Sequence, residues 1–380
     1  MDLVEVKEGQ TRFLVPQQNP DVPFPPGTAA VFYNRRMEIN RDATILLTSI
    51  IKPSQYLDAM GATGVRGLRI ANECNIPVTI NDGNIRAAGL IRKNAFFSGL
   101  PIEVLNMDVN ALLSTRHFHA VDLDPFGTPA PFADAGIRGT GRYLFVTATD
   151  TAPLCGAHRK AGIRRYGAHP LNTTYHREVG LRILLGFMVR QAARYDRGVE
   201  PLFCFSHEHF VRLHLQLTRG APSAEKTLSR LGFIMQCPHC ANRSEFHGLL
   251  PHDQRCDYCH HDMIPVGPLW LGSVSDPRML AEMTEHAGRM PLGTGPELEK
   301  LIRLCREELP VSSFYDYHQL AKSLRVSPPP IAGILEELGL RGFKATRTHY
   351  SGTGIRTDAP LAELYVCLSQ KRCIDQEKTQ

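Results

Sequence analysis

The sequence lacks long apolar runs, internal repeats and low-complexity segments. No stretch reaches the about 18 consecutive apolar residues that a membrane span needs, and Met1–Lys7 lacks the basic start and apolar run of a secretory signal. With 43% apolar and 21% charged residues over 380 positions, the composition excludes disorder for most of the chain and suffices for two or three domains. We therefore expect a cytoplasmic globular protein with no membrane association, and no feature points to an obligatory protein partner.

Cysteine is not distributed as in a disulfide framework. Six of the ten cysteines are scattered singly, and the other four form the pairs Cys237-Pro-His-Cys240 and Cys256-Asp-Tyr-Cys259. Two C-x2-C pairs fifteen residues apart have the spacing of a four-thiolate zinc site without an open coordination position. We predict a structural Zn²⁺ on Cys237, Cys240, Cys256 and Cys259 in a ribbon at 237–259. Four unrelated free cysteines, or a catalytic zinc in which a neighbouring histidine replaces a thiolate, are the alternatives.

Lysine is scarce relative to arginine, with 10 against 33 residues, and the net charge of +5 is only mildly basic. The planar guanidinium group matches phosphate better than an ammonium group does. Between Leu154 and Arg182 a single acid, Glu178, accompanies six basic residues: Arg159, Lys160, Arg164, Arg165, Arg177 and Arg182. We interpret this stretch as a track for nucleic-acid phosphates, with a solvated surface as the alternative.

The most informative motif is Asp124-Pro125-Phe126-Gly127, at the end of a predicted strand that begins at His119. A nitrogen conjugated with a ring is a poor nucleophile, so an enzyme that alkylates it must hold its hydrogens on carbonyl or carboxylate acceptors. Asp124 and the carbonyl of Pro125 are candidate acceptors, and Phe126 could stack on a base drawn out of its helix. The motif favours methyl transfer to an exocyclic amine of a nucleobase, although it also suits an ordinary strand-ending turn.

The first 150 residues alternate short apolar runs with helical patterns, which predicts βαβ units and a parallel sheet. After the first predicted strand, Ser54–Asp58, the glycine turn Gly61-x-x-Gly64-x-x-Gly67 opens a helix. This spacing differs from the Gly-x-Gly-x-x-Gly of nicotinamide enzymes and therefore disfavours a dinucleotide. Asp82 ends the next strand, where such folds place a carboxylate on a ribose diol, and Asp108 ends a third. These acidic strand ends favour a ligand that contains a nucleoside and methionine.

Five longer blocks of sequence, spread over nearly the whole chain, carry a family resemblance. They are Val31–Asp42, Asp58–Gly67, Asp122–Gly127, Thr147–His158 and Ala345–Arg356. In these blocks the chain resembles the tRNA (guanine-26-N2)-dimethyltransferase family of class I S-adenosylmethionine-dependent methyltransferases.

The resemblance implies roles for individual residues. Contacts to S-adenosylmethionine would be made by Arg36, Arg66, Asp82, Asp108 and Val109. Asp124 would be the catalytic acid/base or the carboxylate that holds the amine, next to Pro125, while Phe32 and Phe126 would grip the flipped guanine. The strand-end pattern independently supports Asp82 and Asp124, whereas Arg36 and Arg66 depend on the resemblance alone.

The second half of the chain is predicted to bind tRNA. We place a methyltransferase domain with an N-terminal extension at 1–200 and a tRNA-binding domain at 201–380, which includes the zinc ribbon and a winged-helix-like segment at 296–368. Its elements are predicted as helices Glu297–Glu308, Tyr315–Leu324 and Ile331–Leu338 and a β-hairpin through Thr346–Leu368. Its candidate tRNA contacts are Arg341, Lys344, Arg347 and Arg356, and the alternative is a packing element. Gln370–Gln380 is predicted to be a frayed tail.

The sequence therefore predicts an α/β protein with a Rossmann-like methyltransferase domain and a smaller α+β C-terminal domain that bears a zinc ribbon. The predicted reaction is the transfer of one or two methyl groups from S-adenosylmethionine to the N2 amine of guanine 26 in tRNA. The alternatives are a nucleic-acid adenine N6-methyltransferase and a non-catalytic zinc-containing RNA-binding protein. A nicotinamide dehydrogenase is disfavoured by the glycine spacing.

Overall fold

The computed structural model describes residues 2–17 and 31–369. Its strands are β1 Leu3–Glu8, β2 Thr11–Pro16, β3 Tyr56–Asp58, β4 Val78–Asn81, β5 Glu103–Leu105, β6 Phe118–Leu123, β7 Thr140–Ala148, β8 Arg197–His207, β9 Phe210–Arg219, β10 Leu231–Gln236, β11 Arg243–His247, β12 Ile264–Trp270, β13 Tyr315–Asp316, β14 Ala345–Arg347 and β15 Gly354–Thr357. Its α-helices are α1 Glu38–Ile51, α2 Val65–Cys74, α3 Ile85–Phe97, α4 Val109–Thr115, α5 Ala133–Gly139, α6 Thr151–Leu154, α7 Arg159–Tyr166, α8 His176–Ala193, α9 Ala221–Leu228, α10 Pro277–Ala287, α11 Gly295–Glu307, α12 Tyr317–Leu324, α13 Ile331–Leu340 and α14 Leu361–Ser369. Within these two ranges, none of the helices has the length and apolar character to cross a membrane.

Seven strands form the central sheet, in the order β5-β4-β3-β6-β7-β9-β8. Five of them, β3 to β7, pair in parallel, which confirms the predicted α/β class and the predicted parallel sheet. Strands β9 and β8 then add antiparallel pairs. The complete sheet is therefore mixed and continues to Arg219, beyond position 200.

The two faces of the central sheet bury different residues, because successive side chains of a strand point to opposite sides. Tyr56 and Phe145 face one hydrophobic cluster, which includes residues of α1, α2, α10 and α11. Leu57 and Leu144 face the other, which includes residues of α4, α5 and α8. Helices thus cover both faces and leave the loops at the strand ends to form a site.

Two small antiparallel sheets follow in the C-terminal part, in the orders β11-β10-β12 and β13-β15-β14. The three predicted helices are present as α11, α12 and α13, and β14 pairs with β15 as a hairpin. The prediction that this hairpin extends to Leu368 was wrong, because Leu361–Ser369 forms α14. Leu361, Leu364 and Leu368 recur at helical spacing and are buried. The predicted frayed tail lies outside the described residues.

Two of the predicted nucleic-acid contacts are buried ion pairs instead. Arg182 donates from Nε to Oε1 of Glu178 at 2.8 Å, and Arg356 donates from Nη2 to the same oxygen at 2.6 Å. The side chains of both arginines are only 2% exposed. The interpretation of Arg182 and Arg356 as phosphate contacts was therefore wrong. A basic side chain in a charged stretch can equally compensate a buried carboxylate. Because Glu178 of α8 also pairs with Arg356 of β15, these ion pairs join the two elements.

Candidate active site

A cavity of about 700 Å³ opens at the carboxyl ends of the central strands. It is lined by Asp58 at the end of β3, Asp82 after β4, Asp124 after β6 and Thr149 after β7. The chain proceeds from β3 toward one edge of the sheet through β4 and β5, and toward the other through β6 and β7. Open α/β sheets form their ligand crevice at such a reversal of strand order.

The glycine turn packs tightly against β4. A Cβ added at Gly61 would lie 2.4 Å from Cγ2 of Ile80, and one added at Gly67 would lie 2.5 Å from Cγ1 of the same residue. Gly64 has a φ of +81°, which favours glycine. The predicted tight turn is confirmed. The absence of a side chain at Gly61 and Gly67 lets the turn pack against the side chain of Ile80.

The carboxylate of Asp82 is held in place by two backbone donors. The N–H of Ala62 donates to Oδ2 at 2.9 Å, and the N–H of Asn84 donates to Oδ1 at 2.8 Å. These bonds tie the glycine turn to the start of α3. Each carboxylate oxygen keeps further acceptor capacity, so Asp82 can accept hydrogen bonds from hydroxyl groups in the cavity.

The Asp124–Gly127 turn is fixed by Thr149. Gly127 N donates to Thr149 Oγ1 at 2.9 Å, and Thr149 N donates to the carbonyl of Gly127 at 2.9 Å. The side chain of Asp124 is 22% exposed and forms an ion pair with Nη2 of Arg66. Phe126 is 80% exposed, and its ring meets that of Phe32 edge to face with centroids 5.6 Å apart. With Pro125, these residues line the cavity together.

A fixed positive charge lies directly beneath Asp124. Arg66 is 4% exposed, and its Nη1 donates to Oδ1 of Asn40 and Oγ1 of Thr44, both at 3.0 Å. Burial alone would lower the pKa of Arg66, but the carboxylates of Asp122 and Asp124 raise it above its ordinary value. Arg66 therefore remains charged at any pH at which the protein is folded.

Asp58 lies in a different environment from Asp82 and Asp124. It is fully buried and accepts a hydrogen bond from the N–H of Gly67 at 3.0 Å. Burial raises the pKa of Asp58 to about 7, although Arg66 opposes the shift. Near neutral pH this carboxyl group is thus partly protonated.

Three of the candidate donor contacts do not line the cavity. Arg36 is exposed on the 3₁₀ helix Arg35–Met37. Asp108 caps α4 by accepting from the N–H of Ala111 at 3.0 Å, and Val109 is the buried first residue of that helix. The loop before Asp108 is nevertheless joined to the cavity wall, because Nδ2 of Asn106 donates to the carbonyl of Asp82 at 2.7 Å.

Sequence reasoning missed several residues of the site. Thr149 and His209 line the cavity, and Arg212 forms a buried ion pair with Asp122 below it. Arg212 stands between Val211 and Leu213 in β9, and a charge among apolar residues that become buried must find a buried partner. That pattern could have marked Arg212 for attention, whereas its partner could not be read from the sequence.

The four paired cysteines come together outside the cavity. Their sulfur atoms all lie within 4.8 Å of one another, as a group that could hold a metal ion. The Sγ atoms of Cys237 and Cys259 are 3.3 Å apart, and those of Cys240 and Cys256 are 3.6 Å apart. These separations exceed a disulfide bond of about 2.05 Å. They approach the edge of about 3.8 Å that four Zn–S bonds of about 2.3 Å would give in a tetrahedron.

Known proteins are similar to this chain in sequence and in fold. A family model described as N2,N2-dimethylguanosine tRNA methyltransferase matches residues 9–369. The chain is 60% identical to a tRNA (guanine(26)-N(2))-dimethyltransferase of Methanoregula boonei, over 98% of this chain and 99% of the relative. A protein of the same name from Methanoculleus marisnigri is 58% identical over 96% of this chain and 98% of its own length.

A solved structure extends the similarity to the fold. It is the complex of Trm1 from Pyrococcus horikoshii with S-adenosyl-L-methionine, which has a TM-score of 0.87 and 34% sequence identity. The similarity covers 96% of this chain and 99% of that chain. It therefore includes the C-terminal part of the chain as well as the central sheet.

Proposed function

Since the chain belongs to the N2,N2-dimethylguanosine tRNA methyltransferase family, we propose that Asp124 and the carbonyl of Pro125 hold the exocyclic amine of guanine 26 during methyl transfer. The chain transfers methyl groups from S-adenosyl-L-methionine to N2 of guanine 26 in tRNA. This activity removes the adenine N6 and non-catalytic alternatives. The observation that carries the role of Asp124 is its place at the cavity, ion-paired with the buried Arg66 and next to the exposed ring of Phe126.

The residues of the cavity suit the methyl donor. Asp82 can accept hydrogen bonds from ribose hydroxyls, and the guanidinium of Arg66 offers a cation for the methionine carboxylate. We include Arg36, Asp108 and Val109 in the donor site as the resemblance implies, with the loop at Asn106 joining Asp108 to Asp82. When bound, S-adenosylmethionine supplies an electrophilic methyl group on a sulfonium centre.

Asp124 and Pro125 would act on the amine itself. The lone pair of the guanine N2 atom is delocalised into the ring, which makes this nitrogen a poor nucleophile. Two acceptors on its hydrogens would orient the amine and favour localisation of the lone pair toward the methyl carbon. As the new N–C bond forms, the nitrogen gains positive charge, and a carboxylate oxygen of Asp124 would accept the proton that it then loses.

The two exposed rings would bind the base. A guanine inside the tRNA body cannot reach Asp124 without leaving its stack. Phe126, which is 80% exposed, provides an unoccupied ring face at the cavity, and Phe32 lies beside it. In this proposal both rings grip the flipped guanine.

The tRNA phosphates would run along α7. Arg159, Lys160 and Arg164 are exposed on this helix. Tyr166, at its end, shares a 2.8 Å hydrogen bond with Thr128 and donates to Asp150 at 2.6 Å. Since Thr128 directly follows the Asp124–Gly127 turn, α7 presents its basic side chains next to the cavity.

We further propose that residues 201–380 contribute the remaining tRNA contacts and that residues 1–200 provide the donor site. In this division a structural Zn²⁺ bound by the four paired cysteines stabilises the ribbon at 237–259. Backbone N–H groups of His239 and Cys240 lie 3.4 Å from Sγ of Cys237, which suits a thiolate. Exposed Lys344 and Arg347 are further candidate contacts. A cytoplasmic location is part of the same proposal.

Replacement of Asp124 by alanine tests the proposed role. We expect kcat to fall by about 10² to 10⁴, as for a lost acid/base that is positioned on the substrate, while the Kd for S-adenosylmethionine changes little. Single-turnover transfer of labelled methyl to tRNA and equilibrium dialysis of the donor measure the two effects. Asp134→Ala is the matched control, because Asp134 pairs with Arg138 on α5 and does not line the cavity.

Charge reversal on α7 provides a contrasting result in the same assay. Arg164→Glu should raise the KM for tRNA and leave donor binding and kcat near wild type, because the substitution affects only phosphate contacts. If Asp124→Ala turned over at the wild-type rate, Asp124 would not hold the amine. If Arg164→Glu left the KM for tRNA unchanged, α7 would not belong to the tRNA surface.

A further inference from the structure

We propose that Arg212 of β9 is a positioning residue for methyl transfer, which acts through Asp122 to fix the guanidinium of Arg66 and thereby the carboxylate of Asp124. Arg212 does not line the cavity, so its effect on the reaction has to pass through these side chains. The inference rests on the proposed role of Asp124.

Arg212 and Asp122 form the base of this arrangement. Nη1 of Arg212 donates to Oδ1 of Asp122 at 2.8 Å, and Nη2 donates to Oδ2 at 2.5 Å. Both side chains are 0% exposed. A buried ion pair contributes little net stability, because desolvation offsets the attraction between the charges. Stability alone therefore does not account for this pair beneath the cavity.

Asp122 contacts Arg66 directly, and Arg212 is linked to Arg66 through Thr44. Nε of Arg66 lies 3.5 Å from Oδ2 of Asp122, and Thr44 Oγ1 accepts from both Arg66 Nη1 at 3.0 Å and Arg212 Nη2 at 2.8 Å. With Nε and Nη1 engaged below, Nη2 of Arg66 is directed at Asp124. The position of Asp124 is therefore set by how Arg212 and Asp122 hold Arg66.

The charges of the network explain why Arg212 is required. Burial alone would raise the pKa of Asp122, but Arg212 and Arg66 hold it well below its ordinary value, so Asp122 is ionised. Burial, reinforced by Arg212, holds the pKa of His214 well below its ordinary value, so this neighbour of Arg212 is neutral. Arg212 therefore supplies a second cation for Asp122. Without it, Asp122 would attract the whole guanidinium of Arg66 away from Asp124.

Arg212→Lys tests the proposal, because lysine keeps the positive charge but cannot form the bidentate hydrogen bonds that arginine makes to Asp122. We expect kcat to fall about 10- to 100-fold, since a displacement of about 1 Å at a reacting group can have an effect of that size. The KM for tRNA should stay within about twofold of wild type, a split that general loss of structure would not produce.

A milder variant and a matched control accompany this test. Tyr56→Phe removes only the hydroxyl that donates to Oδ2 of Asp122 at 2.6 Å, and it should lower kcat in the same direction by a smaller factor. Arg182→Lys changes another buried arginine, which pairs with Glu178 outside the cavity lining, and should leave kcat per folded molecule unchanged. Thermal unfolding of each variant gives the folded fraction. Wild-type kcat in both Arg212→Lys and Tyr56→Phe, or an equal fall in Arg182→Lys, would overturn the proposal.

A double substitution separates this proposal from the role of Asp124 itself. In an Asp124→Asn background, Arg212→Lys should cause no further fall in kcat, because both changes remove the same positioned carboxylate. If Asp124→Asn lowers turnover and Arg212→Lys multiplies the loss, Arg212 does not act through Asp124, while the proposed function stands. If Asp124→Asn alone has wild-type turnover, the proposed role of Asp124 itself fails.

Discussion

At the scale of residues, the four aspartates of the site differ in the groups that surround their carboxyl groups. Asp82 is held by backbone N–H groups, Asp124 by Arg66, and Asp122 by two arginines. Asp58 is the exception, because burial outweighs Arg66 and raises its pKa to about 7. Neighbouring strand ends can therefore shift carboxyl groups in opposite directions, since the pKa of Asp58 is raised and that of Asp122 is lowered.

The raised pKa of Asp58 predicts how stability depends on pH. The native state keeps the proton on Asp58 up to about pH 7, whereas the unfolded chain loses it near the ordinary value of 3.8 for an aspartate. The stability that the protonated form contributes is thus complete below the unfolded pKa and is lost as pH rises through about 7. Asp58→Asn keeps the acceptor for Gly67 N–H and removes the titration. Its stability relative to wild type should rise by about 1.4 kcal/mol per pH unit across this window.

Chemical denaturation of wild type and Asp58→Asn at pH 4, 5.5, 7 and 8 measures this difference. Parallel stability curves for the two proteins would contradict a proton on Asp58 in the native state.

Position at a strand end was sufficient to predict that Asp82 and Asp124 lie at the same cavity, because carboxyl ends of parallel strands meet at one edge of the sheet. The contact between Arg66 and Asp124 could not be predicted in this way. The two residues are 58 positions apart, and their pairing depends on the neighbouring order of β3 and β6. The same applies to Arg212, which is 90 positions from Asp122.

At the scale of elements, patterns of periodicity and spacing predicted strands β3, β4, β5 and β6, and tertiary packing decided the uncertain segments. Leu361–Ser369 has a short apolar pattern that was assigned to a hairpin, yet it forms α14 because Leu361, Leu364 and Leu368 then pack in one cluster with α12 and α13. For a run of nine residues, the surface available for burial outweighs local preference.

The cysteine ribbon is joined to the rest of the molecule through Arg243 of β11. Its guanidinium lies 4.4 Å from the ring centroid of Tyr175 and 3.9 Å from that of Tyr315. These contacts connect the ribbon both to the residue before α8 and to β13. Neither tyrosine lines the cavity, so a change in the ribbon should affect the surfaces around these contacts before it affects the cavity.

Loss of the proposed Zn²⁺ is expected to weaken tRNA binding and spare donor binding. Cys256→Ser should contain less zinc than the wild-type protein, and its KM for tRNA should rise while the Kd for S-adenosylmethionine stays within about twofold. Metal analysis of purified protein, with donor and tRNA titrations, measures these effects. Cys74→Ser is the matched control, since Cys74 lies in α2 outside the four-cysteine group. Equal zinc content in Cys256→Ser and wild type would contradict a four-thiolate site.

At the scale of the whole molecule, a continuous hydrophobic core joins the two halves of the chain. The cluster on the α8 face of the sheet includes Leu57 from β3, Leu213 from β9 and Tyr350 between β14 and β15. The ion pairs of Glu178 with Arg182 and Arg356 lie along the same connection. The proposed tRNA surface of residues 201–380 is therefore built on elements that pack directly against the sheet that bears the proposed donor site.

The most direct test of the account replaces a single functional group of the substrate. Purified protein is incubated with labelled S-adenosylmethionine and two tRNA transcripts, one with guanine and one with inosine at position 26, which lacks only the N2 amine. After nucleoside digestion, we predict N2-methylated guanosine from the first transcript and no methyl transfer to the second, although both transcripts bind equally. Equal labelling of the inosine transcript, or label in a methylated adenosine, would contradict the assignment of the N2 amine of guanine 26 as the acceptor.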